Sequence, residues 1–169
     1  MIGSVVLVLG GVLAAILLIP GSGGSGSPAA TGGAAPAFSL DNVHTGQPQV
    51  SLAALRGRPV VLNFWAAWCE PCKAELPAFE ATHRRLGDRV AFVGIDRQDN
   101  RDDALQLSAR AGLTYPSAYD PNGSLDGPYR LLGTPTTVFI SPTGRIVDHH
   151  TGQLSRARLD GALQRLFGV

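Results

Sequence analysis

Both cysteines of this 169-residue chain lie in one short stretch, Trp68-Cys69-Glu70-Pro71-Cys72, directly after the apolar run Val60-Val61-Leu62-Asn63-Phe64-Trp65. A buried strand that feeds a Cys-x-x-Cys at the mouth of a helix narrows the fold to one built around a βα unit. The chemistry follows from the same placement. A cysteine at a helix N-terminus faces unpaired backbone N–H groups and the positive end of the helix dipole, which favour the thiolate. A second cysteine one turn later can attack a mixed disulfide and release the bound partner, which leaves Cys69–Cys72 oxidised. The spacing therefore predicts a redox-active disulfide, with no further cofactor and no metal. Half a zinc site is the competing reading, but the chain holds only two cysteines. No histidine sits at ligand spacing near them.

The head of the chain has a different character. Met1 to Ile19 is almost wholly apolar, and the first basic side chain is Arg56. As a helix, Ile2 to Ile19 would span about 27 Å at ~1.5 Å per residue, enough for a bilayer core. Pro20 stops the run, and residues 20–36, rich in Gly, Ser, Ala and Pro, read as a flexible linker reaching roughly 20–25 Å. Residues 1–19 are expected to be a transmembrane signal anchor. A cleaved signal peptide, favoured by the small residues around Ser25 to Ala30, and a start that has lost its basic n-region are the alternatives. No cysteine follows to carry a lipid. No charge flanks the span, so orientation comes from the chemistry, and disulfide exchange belongs outside the cytoplasm. The expected location is the cell membrane with residues 37–169 extracytoplasmic, or secretion after cleavage. A net charge of +1 with 16% charged residues gives no electrostatic case for nucleic acid or an acidic partner. The chain is expected to be a monomer.

From Phe38 onward strand and helix signals alternate. Ser51 starts a short helical piece, Leu52 to Leu55, which Gly57 ends. Val60 to Trp65 reads as a strand buried on both faces, and Glu70 to Leu86 as a helix with Cys72, Leu76, Phe79 and His83 near one face. Pro77 predicts a kink in that helix. Val90 to Ile95 is the next strand, Asp102 to Ala111 a helix, Ser117 to Tyr119 a short strand, and Leu125 to Leu132 helical. Thr136 to Ile140 and Ile146 to His150 are strands joined by the turn Ser141-Pro142-Thr143-Gly144. Ser155 caps a last helix through Phe167. A β-α-β unit followed by β-β-α makes an α/β protein with a mixed sheet covered by helices.

Residues Ala37 to Phe167 resemble the TlpA/ResA group of membrane-tethered, thioredoxin-like thiol:disulfide oxidoreductases, which includes the CcmG/DsbE proteins. The matching residues run from Val61 through Cys69-Glu70-Pro71-Cys72-Lys73-Ala74-Glu75-Leu76-Pro77, and again over Gly133-Thr134-Pro135-Thr136-Thr137. The resemblance implies a thioredoxin-like fold with extra N-terminal strands, here within Phe38 to Val50, and a central αβ insertion, here Asp99 to Tyr119. It implies electrons drawn from a membrane donor of the CcdA/DsbD type and passed to extracytoplasmic protein disulfides, apocytochrome c among them.

Two further groups of residues gain roles from it. A proline that opens a strand cannot donate a ladder bond, and by residues alone Pro135 reads equally as an ordinary strand-edge proline. The resemblance implies a cis proline beside the cysteines, with Thr134 presenting backbone groups to an extended substrate. Trp68, Glu70, Pro71, Thr134 and Pro135 together make the expected substrate surface. Thioredoxin carries a buried carboxylate where Asn63 stands, and an amide cannot take the proton of Cys72. Glu75, three residues after Cys72 and bordering Leu76 and Phe79, is the expected general acid–base. Partial burial would raise its pKa toward the useful range. A solvated helix charge is the bland alternative.

Cys69 is thus the expected nucleophile and Cys72 the resolving thiol. Trp65 and Trp68 are expected around the site, with Trp68 partly exposed, and Lys73 reads as a solvated first-turn residue. Glu70 sets a negative charge beside the nucleophile, an effect of about 0.5–1 kcal/mol, or roughly 10–20 mV. That leans toward a reductant, and resemblance to the reducing members carries the rest. A disulfide-forming oxidase is the alternative. His149 and His150 are adjacent on a strand and so point to opposite faces, which prevents joint chelation. A copper chaperone of this fold would carry Cys-x-x-x-Cys. A peroxidase would carry threonine or serine where Ala66 stands.

Overall fold

A computed structural model describes residues 31–169, so the predicted anchor, and the linker up to residue 30, lie outside the described residues. The elements in chain order are β1 (Ser39–Leu40), β2 (Val50–Ser51), β3 (Val60–Trp65), α1 (Glu70–Leu86), β4 (Ala91–Arg97), α2 (Arg101–Ala111), β5 (Ser117–Asp120), β6 (Thr136–Ile140), β7 (Ile146–Thr151) and α3 (Arg156–Phe167). Five strands form one sheet in the order β5-β4-β3-β6-β7. β3 pairs in parallel with β4 and antiparallel with β6, so the most apolar strand is central, and all of its residues are buried.

Alternation along β3 divides the core. Leu62 and Phe64 join Val93, Ile95, Val138 and Tyr129 on one face. Val61 joins Phe79, Phe92, Phe139, Leu159 and Leu163 on the other, under α1 and α3. Each such side chain, fully buried, contributes roughly 1.5–3 kcal/mol. A third cluster gathers Trp65, Ala66, Cys69, Cys72 and Leu76 with Ala104 and Leu107 of α2. The expected αβ insertion is therefore α2 and β5, and α2 closes the core beneath the cysteines. β1 and β2 pair antiparallel as a separate two-stranded sheet. Val43 N–H donates to Ser117 O at 2.8 Å and Tyr119 N–H to Asp41 O at 2.8 Å, which ties this extension to β5.

The structure departs from the sequence reading in several places. Leu125 to Leu132 is a chain of turns and not a helix. Tyr129 N–H reaches Leu125 O, but Pro128 has no N–H to give and Arg130 lies at φ 51, so no helical ladder propagates. One sheet face is consequently covered by the N-terminal extension and these turns, with Phe38, Val50, Leu52, Leu125 and Tyr129 in contact with it. The expected linker also ends early. Gly32 N–H donates to Ile146 O at 2.7 Å, Ile146 N–H to Gly33 O at 2.9 Å and Ala35 N–H to Gly144 O at 2.9 Å. Tyr129 Oη donates to Pro36 O at 2.6 Å. Residues 32–36 are thus strand-like cover for β7, because small side chains permit close backbone approach as readily as they permit flexibility. Leu52–Leu55 forms a 3-10 turn, and Ser51 before it makes no side-chain cap bond. Pro77 does not end α1, in line with the reading that it would not stop the helix.

Candidate active site

Cys69 occupies the N-cap of α1 in an extended conformation, and its Sγ accepts the Cys72 backbone N–H at 3.2 Å. Pro71 sits in the first turn, where a helix needs no N–H donor. The two sulfurs are joined, with S–S 2.01 Å and Cα–Cα 5.3 Å. Cys72 is fully buried and Cys69 nearly so, while Glu70 and Pro71 between them are exposed.

The loop from β3 into α1 is fastened from the side. Asp99 accepts the Ala67 backbone N–H, and Trp68 Nε1 donates to Gln98 O at 3.0 Å. Trp65 is wholly buried. Trp68 remains 55% exposed and Leu132 88%, the only large apolar side chains exposed among the described residues. Lys73 lies in the first turn as expected, and its Nζ makes an exposed ion pair with Glu70, which offsets part of the negative charge beside the nucleophile.

Glu75 is buried completely, beyond the partial burial expected, at 1% exposure. Its Oε1 accepts from Asn63 Nδ2 at 2.8 Å and its Oε2 from the Leu154 backbone N–H at 2.8 Å. Burial pushes the carboxyl up to about 7, against the pull of these two hydrogen bonds. Asn63 Oδ1 is buried without a partner. A half-turn of the Asn63 amide would present that oxygen to a protonated Glu75. The pair can therefore hold a proton by amide rotation alone, and the asparagine that replaces a carboxylate has a use.

Thr134 and Pro135 are joined by a cis peptide bond. Pro135 is buried and immediately precedes Thr136, the partner of Phe64 at the end of β3, so it lies at the same end of the sheet as the cysteine loop. Among the described residues neither the N–H nor the C=O of Thr134 is hydrogen-bonded. Its hydroxyl accepts from Arg97 Nη1 at 2.6 Å.

His149 and His150 pair with Val138 and Thr137 on opposite faces of β7, and His149 Nε2 lies 3.0 Å from Tyr129 O. Among the described residues no three His, Cys, Asp or Glu side chains converge in a way that could hold a metal ion. Sequence reading missed Leu154, Asp96, Arg97 and Asp99. Asp96, fully buried at the end of β4, is pushed up to about 8 by burial and by the neighbouring charge of Asp99. Nothing in the local sequence signalled these residues, because β4 was expected to stop at Ile95.

Residues 31–149 match the AhpC/TSA family. The thiol-disulfide oxidoreductase ResA of Oceanobacillus iheyensis is 38% identical over 137 residues, 78% of this chain and 70% of that protein. The thiol:disulfide interchange protein DsbE of Xylella fastidiosa (strain Temecula1) is 33% identical over 159 residues, 94% of this chain and 80% of that one. Among solved structures, a DsbF homologue from Corynebacterium diphtheriae superimposes with a TM-score of 0.71 at 25% identity, covering 79% of this chain and 87% of the other.

Proposed function

Because the chain belongs to the AhpC/TSA family and is a thiol-disulfide oxidoreductase of the ResA and DsbE type, we propose that it reduces protein disulfides outside the cytoplasm through Cys69 and Cys72. The observation that carries this reading is the Cys69–Cys72 disulfide at the start of α1, one turn from a buried carboxyl that titrates near neutrality.

In the proposed cycle the Cys69 thiolate attacks one sulfur of a substrate disulfide. A mixed disulfide forms, and the departing substrate sulfur takes up a proton. Glu75 as carboxylate accepts the proton of Cys72, whose sulfur then attacks Cys69 Sγ. The second substrate thiolate leaves, is protonated, and Cys69–Cys72 is oxidised. The substrate gains two electrons and two protons, and an external donor must return electrons to the pair. A membrane reductant of the CcdA/DsbD type fits that need, with residues 1–19 as the anchor and apocytochrome c as one substrate.

Direction is supported by burial. Both cysteines are nearly inaccessible, and an ionised Glu75, buried one turn after Cys72 on α1, adds negative charge that favours the disulfide over a thiolate pair. Docking of a polypeptide is supported by the unpaired backbone groups of Thr134, which suit an added strand. The exposed Trp68 and Leu132 stand beside the cysteine and proline segments respectively.

The test is trapping. Cys69→Ser is expected to abolish exchange, and Cys72→Ser to accumulate mixed disulfides through Cys69. Mass spectrometry that found substrate on Cys72 in the Cys69→Ser protein, in comparable yield, would reverse the two roles.

A further inference from the structure

Arg97 is a strange residue to find at the end of a central strand. It is nearly buried, with its side chain 11% exposed, yet all of its nitrogens are engaged. Nε donates to Asp126 Oδ1 at 2.8 Å and Nη2 to Asp126 Oδ2, a two-pronged pair that fixes the plane of the guanidinium. Nη2 also donates to Gln98 Oε1 at 2.9 Å, and Nη1 donates to Thr134 Oγ1 at 2.6 Å. Asp126 belongs to the turns that replaced the expected helix, so this side chain helps hold those turns to the sheet, beside the bonds that Asp120 accepts from Ser124 and Leu125.

The next residue completes a crossing. Gln98 stands at φ 51, a left-handed backbone that a glutamine keeps only where its surroundings hold it. Its N–H donates to Asp120 O at 3.0 Å, and its C=O accepts from Trp68 Nε1. Gly123 packs against the same assembly. A Cβ there would stand 2.6 Å from Asp126 Oδ2 and 2.9 Å from Gln98 Nε2, so any larger residue would displace these two side chains, and the backbone at φ 63 itself favours glycine. A continuous hydrogen-bonded strut thus runs from Trp68 beside Cys69, through Gln98 and Arg97, to Thr134 beside Pro135.

We propose that Arg97 is a positioning residue for the protein substrate, holding the unpaired backbone of Thr134 in register with the cysteine loop so that an extended chain meets both sides of the cleft at once. The role rests on the exchange reaction proposed above. A small disulfide needs only the sulfur of Cys69 and gains nothing from the strut. A polypeptide that pairs with the Thr134 backbone depends on where that backbone is held.

The experiment compares two substrates on the full chain: insulin as a protein disulfide and dithiobisnitrobenzoate as a small one. Arg97→Lys keeps the charge but cannot fork, and Thr134→Val removes only the hydroxyl and leaves the Asp126 pair intact. Each is expected to raise KM for insulin about tenfold, the scale of one lost charge-assisted hydrogen bond, with kcat changed less than twofold. In Arg97→Lys the rate with the small disulfide and the redox potential stay at the wild-type value. The Arg97→Lys/Thr134→Val double variant is expected to be no worse than Arg97→Lys alone, because the bond that Thr134→Val removes is already lost there. A lower melting temperature with KM unchanged would make Arg97 a structural staple only and overturn the proposal, as would fully additive losses in the double variant. Wild-type protein inert toward both disulfides would instead refute the exchange reaction, and the positioning role with it.

Discussion

Replacing Glu75 by glutamine separates a buried, titrating carboxyl from a merely polar one. In the folded protein the Glu75 carboxyl is pushed from its ordinary value of 4.5 up to about 7 by burial. In the unfolded chain it returns to the ordinary value. Between those two pH values the folded state holds a proton that the unfolded chain has released. Stability from this group is therefore greatest below about pH 4.5, falls as pH rises, and levels off above about pH 7. At about 1.4 kcal/mol for each pH unit, the loss across the window is roughly 3 kcal/mol.

Glutamine removes the titration and keeps the bonding of the protonated acid, since its oxygen can accept the Leu154 N–H and its amide can donate to Asn63 Oδ1 after the same half-turn. The variant should match wild type to within about 0.5 kcal/mol at pH 4 and be about 3 kcal/mol more stable at pH 8.5. Urea denaturation of the oxidised proteins at both pH values reads this directly, and the difference between variant and wild type cancels every other titrating group. Exchange with a protein disulfide should at the same time slow by about a hundredfold at pH 7, the lower end for loss of a general acid–base. A stability difference that does not change between the two pH values, with an unaltered rate profile, would show that Glu75 does not titrate in this range and takes no proton from Cys72.

Three further outcomes follow from the same structure. A chain starting at residue 31 should fold and exchange fully, whereas one starting at residue 37 loses the four bonds of residues 32–36 to β7, its turn and Tyr129 and about 4 kcal/mol, at ~1 kcal/mol each; equal urea midpoints would return those residues to the linker. Asp96→Asn should flatten the fall in stability that wild type shows as pH rises toward about 8, since the buried acid holds its proton up to that point and the unfolded chain does not; an unchanged pH–stability curve would deny that Asp96 is protonated at neutrality. The Cys69–Cys72 potential should lie nearer the thioredoxin value of about −270 mV than the DsbA value of about −120 mV; a value near the latter, with the protein oxidised in cells and able to oxidise a reduced protein, would sink the reductant reading.

The elements that the sequence disclosed share one property, which is that their cause is local. β3 is an unbroken apolar run, α1 opens on a cysteine cap with proline in its first turn, and α3 opens where Ser155 Oγ takes the Arg158 N–H. The turn between β6 and β7 places Gly144 at φ 80, where it donates to Ser141 O. Where local composition was ambiguous, tertiary pairing decided against it. Residues 32–36 have linker composition, yet β7 and its turn offered them donors and acceptors at the right spacing. Leu125 to Leu132 has enough apolar residues for a helix, yet Pro128 and the hold of Arg97 on Asp126 settle it as turns.

The candidate site divides along the same line. Cys69, Cys72 and Glu75 lie on one helix, and their spacing was readable. Their supports come from far along the chain: Leu154 is 79 residues from Glu75, Thr134 is 37 from Arg97, and Asp99 is 32 from Ala67. No rule about neighbours on a helix or strand reaches that distance. The end of β4 shows the physical reason most clearly. Asp96 and Arg97 look like the charged stop of a strand because an unpaired charge would be costly there. In the fold neither stays an unpaired charge. Asp96 faces the α1 side beside Trp65 and sheds its charge by keeping a proton, while Arg97 faces the other side and keeps its charge by pairing with Asp126. Two adjacent residues on one strand thus solve burial in opposite ways, and Arg97 is tied to the cysteine site, through Gln98 to Trp68 and directly to Thr134. What hydropathy takes for the end of a strand is where the sheet takes hold of the cleft.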